Sequence, residues 1–234
     1  MIRFFLPFFL LLFSWMFFPT TVDAAGEFSV SYDVTYTIAE DGTGRVTQNI
    51  DLTNLTNRFF AKEYTLSIRS QKVENVSAKD RLGPVQVSTE ETDDGTAIHV
   101  VFNDKVVGSN RTLSWSLAYS VPNLASKNGK VWEVIIPGVA EQEDVARYDV
   151  SLNIPKSFDE PSFLSPKPRN DLTIPEKNSS YRTFIYRKED VLKSGVTLLF
   201  GRLQTYAFKL QYHLYNPNVV PIFTDITLPP DTAL

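Results

Sequence analysis

From Phe28 to Ile38, apolar side chains occupy every second position: Phe28, Val30, Tyr32, Val34, Tyr36 and Ile38. A period of two is the pattern of a strand with one face buried and the other wet. Glu40-Asp41-Gly42 follows, with glycine where a tight turn requires positive φ. Val46, Ile50 and Leu52 then resume the alternation, so the two runs predict an antiparallel hairpin. Tyr64, Leu66 and Ile68 repeat the pattern, as do Val85 and Val87. Asp93-Asp94-Gly95 turns the chain into a strand from Ile98 to Phe102, and Leu113, Trp115, Leu117, Tyr119 and Val121 mark the clearest later alternation. Further strands are expected over 131–136, 148–154, 181–186, 196–200 and 206–214. A helical period is nearly absent; 140–146 and 188–193 each predict a single turn. Many short strands separated by turn residues specify an all-β chain, folded as a large antiparallel β-sandwich or as two packed β units.

Two stretches break the strand pattern. Met1-Ile2-Arg3 is a short basic start, Phe4 to Phe18 is apolar except for Pro7 and Ser14, and Val22-Asp23-Ala24 ends in short side chains. That three-part layout predicts a signal peptide over 1–24, cleaved near Ala24, and hence an extracytoplasmic protein, secreted or on the cell surface. The apolar run as a helix spans roughly 22 Å, short of the ~30 Å hydrocarbon core. An uncleaved anchor reaching Val22 is the rival reading, and membrane contact would then be through this segment alone. Later, Pro155, Pro161, Pro166, Pro168 and Pro175 crowd a short stretch, a density excluded from a central strand. The expected organisation is a β-sandwich unit over 25–155, a proline-rich crossover over 156–177, and a second β unit over 178–234. This last unit either packs on the first or begins a further domain.

Composition narrows the chemistry. Of 234 residues 43% are hydrophobic, and the net charge is −4, which suits a packed domain and supplies no basic surface for nucleic acid. The chain has no cysteine, so thiol catalysis, disulfides and cysteine-ligated metals are excluded within it. Its two histidines, His99 and His213, lie far apart in sequence. His99 alternates in phase with Ala97 and Val101, and His213 is out of phase with Tyr212 and Leu214; both are expected to face solvent. Glu90, Glu91, Asp93 and Asp94 precede a glycine turn and are read as solvated, as are Glu141, Glu143 and Asp144. No calcium loop, phosphate-binding glycine loop or Gly-x-Ser-x-Gly elbow is present. Trp115 shares the phase of Leu113 and Leu117, and Trp132 that of Val134 and Ile136, which predicts core positions for both. No catalytic, metal or cofactor-binding residue is assigned, and no cofactor is expected. Four Asn-x-Ser/Thr sequons, at Asn54, Asn75, Asn110 and Asn178, would be glycan acceptors only in a eukaryotic secretory pathway.

Several phrases resemble the N-terminal β-rich region of bacterial secreted or membrane-attached proteins that carry a transglutaminase-like domain further along. They include Asp33-Val34-Thr35-Tyr36, Leu52-Thr53-Asn54-Leu55-Thr56, Asn75-Val76-Ser77-Ala78 and the run Phe102 to Gly108. Thr112-Leu113-Ser114-Trp115, Trp132-Glu133-Val134-Ile135-Ile136-Pro137 and the closing run Ile226 to Thr232 belong to the same set. The resemblance runs along nearly all of the mature chain but rests on scaffold phrases. It implies that the family's catalytic Cys, His and Asp lie downstream of this region; nothing here matches them, and no catalytic residue is carried over. The expected function is therefore a non-catalytic extracytoplasmic β-sandwich module. It would position a transglutaminase-like partner domain or bind a cell-surface component, with a carbohydrate-binding or glycan-processing sandwich as the alternative. Val220, Ile222, Phe223, Ile226 and Leu228 near the C-terminus form an apolar strand-like stretch, expected to dock against a protein partner because an unpaired apolar strand is a template for association.

Overall fold

The computed structural model describes residues 26–69, 71–138, 144–169, 180–191 and 195–202, with 209, 211–217, 219–221, 223 and 225 from the C-terminal unit. The chain divides into a large unit, 1–203, and a small one, 204–234. The large unit is built from strands. These are β1 (Phe28–Ile38), β2 (Gly44–Asn54), β3 (Glu63–Arg69), β4 (Glu74–Asp80), β5 (Gly83–Pro84), β6 (Gln86–Thr92) and β7 (Gly95–Val101). They continue with β8 (Thr112–Val121), β9 (Ala125–Asn128), β10 (Val131–Ile136), β11 (Val145–Pro155), β12 (Pro161–Ser165), β13 (Tyr181–Tyr186) and β14 (Val196–Phe200). Among the described residues, a 3-10 turn, Lys156–Phe158, and a helical turn, α1 (Lys188–Val191), interrupt them. Among the described residues no helix is long and apolar enough to cross a membrane.

The alternation read from the sequence becomes one face of a seven-stranded sheet, ordered β13-β11-β1-β2-β8-β4-β5. Val30, Tyr32, Val34, Tyr36 and Ile38 of β1 are all buried, and the register carries their face across neighbouring strands. Tyr36 lies opposite Val46 on β2 and Leu152 on β11, while Val46 faces Tyr119 on β8. Two smaller sheets cover this face: a four-stranded one, β12-β14-β10-β9, and a three-stranded one, β3-β7-β6. The result is an all-β sandwich whose second layer is split in two. Gly42, in the β1–β2 turn, has φ +89°, and a Cβ there would lie 2.2 Å from the Ala125 carbonyl oxygen. Glycine is required at that turn for both reasons.

The structure departs from the sequence reading in particular places. Among the described residues every strand pairing is antiparallel except one: β1 and β11 run parallel, with Val34 opposite Val150. The helical turn expected over 140–146 fails at Val145 and Ala146, which belong to β11; residues 140–143 lie outside the described set. A ladder along β1 supplies backbone partners that a single isolated turn cannot match. Within the proline-rich stretch, residues 161–165 form β12, an edge strand paired only with β14, the position where a sheet tolerates proline. Strands β4, β5 and β9 carried no alternation to read. Of the strand expected over 206–214, residues 209 and 211–214 are not in a strand, and 206–208 and 210 lie outside the described residues. The segment 1–24 also lies outside them.

Candidate functional site

The split in the second layer leaves a cleft of about 270 Å3 above the seven-stranded sheet. Its floor consists of phenols: Tyr32 and Tyr36 from β1, Tyr119 from β8 and Tyr148 from β11, with the Gln48 amide between them. One wall is β3, from Tyr64 to Arg69, and the other includes Pro137, Gly138 and Val145. The floor is tied by hydrogen bonds. Gln48 Nε2 donates to Tyr119 Oη at 2.9 Å, and the Tyr32 and Tyr64 hydroxyls bond to each other, joining β1 to β3. The Tyr32 and Tyr148 rings pack at 5.5 Å between centroids.

Burial dominates the electrostatics here, because it disfavours the charged phenolate. It pushes the Tyr36 hydroxyl up to about 12, with the adjacent Tyr148 hydroxyl offsetting a little of the rise. Burial, then the Tyr64 phenol and more weakly the Asp144 carboxylate, drive Tyr32 far above its ordinary value. Tyr64, Tyr119 and Tyr148 are raised as well, each chiefly by burial. All five phenols are thus protonated at neutral pH. They can donate and accept hydrogen bonds but cannot serve as general bases.

A second element locks the three-stranded sheet to the seven-stranded one. The buried Asp80 carboxylate, at the end of β4, accepts from Leu82 N at 2.8 Å, Asn103 N at 2.7 Å and Asp104 N at 2.9 Å. Asn103 and Asp104 leave β7, so one side chain fastens both segments. Burial alone would raise the pKa of Asp80, but these N–H donors, with that of Gly83, outweigh it and hold the group below the ordinary carboxylate value. Arg81 then grips the buried Asp104 through Nε at 3.0 Å and Nη2 at 3.3 Å.

The residues singled out from sequence are dispersed. His99 faces outward on β7, with Nδ1 3.1 Å from Thr65 Oγ1 and Nε2 3.7 Å from Glu63. His213 is exposed in the C-terminal unit, 3.2 Å from Gln211 Nε2. Glu90 and Glu91 near the end of β6, and Asp93 and Asp94 in the β6–β7 turn, are all exposed, and Glu91 meets Lys72 at 2.8 Å. Trp115 is buried, edge-on to Tyr64 and Phe102. Trp132 has the expected phase but is only half-buried: Phe158 stacks on it at 4.0 Å and Lys127 lies 5.4 Å from its ring. Asn54 is buried, its Oδ1 accepting from Thr56 N, so this sequon is a turn rather than an exposed acceptor; Asn75 and Asn110 are exposed, and Asn178 lies outside the described residues. Of the expected docking residues, Val220 and Phe223 are exposed, whereas Ile222, Ile226 and Leu228 lie outside the described residues. No group of three metal-ligating side chains occurs among the described residues.

Sequence reasoning missed the cleft. The floor tyrosines read as ordinary half-buried strand positions, and their convergence depends on pairing. One signal was available: Gln48 is a polar side chain in the apolar phase of Val46, Ile50 and Leu52, and it is buried.

No protein-family model matches this chain, and no curated protein is similar to it in sequence. Among solved structures it is similar to the M1 zinc metallopeptidase of Deinococcus radiodurans, at 13% identity and a TM-score of 0.42. It is also similar to a mutant of that enzyme bound to a Tyr-Ser-Ala substrate, at 11% and 0.41, and to a mutant two-domain M1 zinc metallopeptidase bound to L-arginine, at 12% and 0.43. In each case 75% of this chain is covered, and this chain spans 42% of the other's length. Likeness at this level bears on neither activity nor substrate.

Proposed function

We propose that this chain is a non-catalytic, extracytoplasmic β-sandwich module that supports a partner domain, of the transglutaminase-like kind its sequence phrases resemble, or holds a cell-surface component. The observation that supports it best is the chemistry of the cleft: a concave site floored by protonated phenols and walled by a strand edge is equipped for contact, not for proton transfer or nucleophilic attack. Trp115 and Trp132 already have aromatic neighbours, so neither offers a free platform for stacking a sugar, which disfavours the carbohydrate alternative. The apolar start of the chain carries the secretion part of the reading.

The decisive measurement is amine incorporation into a glutamine donor by the purified full-length chain. A thiolate nucleophile requires cysteine, so the rate is expected to equal the buffer blank. A signal above blank that disappears in His99→Ala or His213→Ala overturns the module reading. Amino-terminal sequencing of exported protein is expected to begin at or near Ala25, and an intact Met1 in the membrane fraction would replace secretion by anchoring.

A further inference from the structure

Six consecutive residues, Tyr64 to Arg69, border the cleft. Side chains alternate between the two faces of a strand, so an unbroken run can line a cavity only if the strand's edge is turned towards it. Among the described residues, strand β3 is the end of its sheet and pairs only with β7. No backbone hydrogen bond from any described residue reaches its other side. Its inward side chains, Tyr64, Leu66 and Ile68, pack on the core but are only partly buried.

Other edges in this fold are blunted in the usual ways. Strand β6 carries Glu90 and Glu91, β5 and β9 are short, and β12 begins with proline. Arg169 N already bonds the Ile185 carbonyl of β13. Between Glu63 and Arg69, by contrast, β3 has neither a charge nor a proline. Among the described residues that line the cleft, Arg69 is the charged one, and no described carboxylate is paired with it.

We propose that the cleft is a strand-addition site: an extended peptide from a partner protein pairs its backbone with the free edge of β3, seats an apolar side chain beside Leu66, and places its carboxylate on Arg69. An unpaired backbone edge selects another extended backbone, and main-chain bonds supply affinity while alternate side chains supply specificity. Among the described lining residues the floor is neutral and Arg69 ends the wall, an arrangement that selects a terminal carboxylate rather than a basic segment. A cavity near the lower limit for small-ligand pockets holds only a few residues, which fits a chain end. The proposal rests on the module reading and gives it a contact point. The two fail separately, because catalysis would sink that reading while loss of peptide binding sinks only this one.

The test uses the full-length chain and a set of short N-acetylated peptides that alternate Val or Ile with Thr and end in a free carboxylate. Backbone amide NMR is expected to show shifts concentrated at Tyr64 to Arg69. The C-terminal amide form of the best peptide, and the Arg69→Ala protein with the original peptide, should each bind about tenfold more weakly. N-methylation of alternate peptide amides should abolish binding, a readout that leaves the protein unaltered. Absence of β3 shifts with every peptide up to about 1 mM, equal binding of the N-methylated form, or tighter occupation of the same residues by a chitin or cellulose oligosaccharide would each overturn the proposal.

Discussion

The two sheets that share the second layer solve the same packing problem differently. In the four-stranded sheet, Val134, Ile136, Val196, Leu198 and Phe200 are all buried, and an aromatic cluster seals the junction with β13. Phe158 stacks on Trp132 and meets Phe200 edge-on at 6.3 Å, while Phe184 lies 5.9 Å from Phe200. In the three-stranded sheet only the central strand is fully inserted: Ile98 and Val100 are 0% exposed, while Tyr64, Leu66 and Val87 on its flanking strands remain partly exposed. The first sheet is held by apolar packing; the second depends on polar ties, the Asp80 carboxylate and the Tyr32–Tyr64 bond. A region fastened by a few directional bonds leaves its flanking strands partly uncovered, whereas close packing buries them.

The contrast can be broken most severely at the aromatic cluster. Phe158→Ala should lower the stability of the large unit by about 3–5 kcal/mol, the range for deleting a buried aromatic ring, measured as the shift in urea midpoint. A loss below 1 kcal/mol would mean that the four-stranded sheet is not the better-anchored half.

The second effect separates polar from apolar fastening. Asp80→Ala leaves backbone N–H groups without their acceptor and should cost about 1–3 kcal/mol. The folded pKa of Asp80 is depressed, so its contribution is present above the ordinary carboxylate value near 4 and is lost as pH falls through the lower folded value. Unfolding curves from neutral to acid pH should therefore converge for wild type and Asp80→Asn. Parallel curves at all pH values would show that the carboxylate charge does not matter.

The smallest effect sharpens the comparison at the cleft wall. Leu66→Ala removes a side chain that is only partly buried and should cost about 1 kcal/mol, well below the change at Phe158. A loss equal to that of a fully buried leucine would mean that β3 is already covered, which the free-edge description does not allow.

Much of this architecture could be read from one-dimensional pattern. Strands β1, β10, β13 and β14 lie where alternation placed them, because a half-buried strand must repeat every second residue whatever its partner. The outward position of His99 followed from the same phase rule, and composition alone, with no cysteine, leaves no thiol nucleophile in the chain. Strands β4, β5 and β9 were not legible: β5 and β9 are short, and β4 buries only Ala78 and Asp80, so each obtains its structure from neighbours rather than from its own apolar residues. Pairing was likewise invisible: nothing local indicates that β11 lies parallel to β1, and it is this ladder that sets Tyr148 beside Tyr32. The cleft belongs wholly to tertiary structure. Alternation determined which tyrosines face inward, but only the division of the covering layer into two sheets decided that five phenols and the edge of β3 meet around one space. That division depends on which strands hydrogen-bond across long stretches of chain, and no local period encodes that choice.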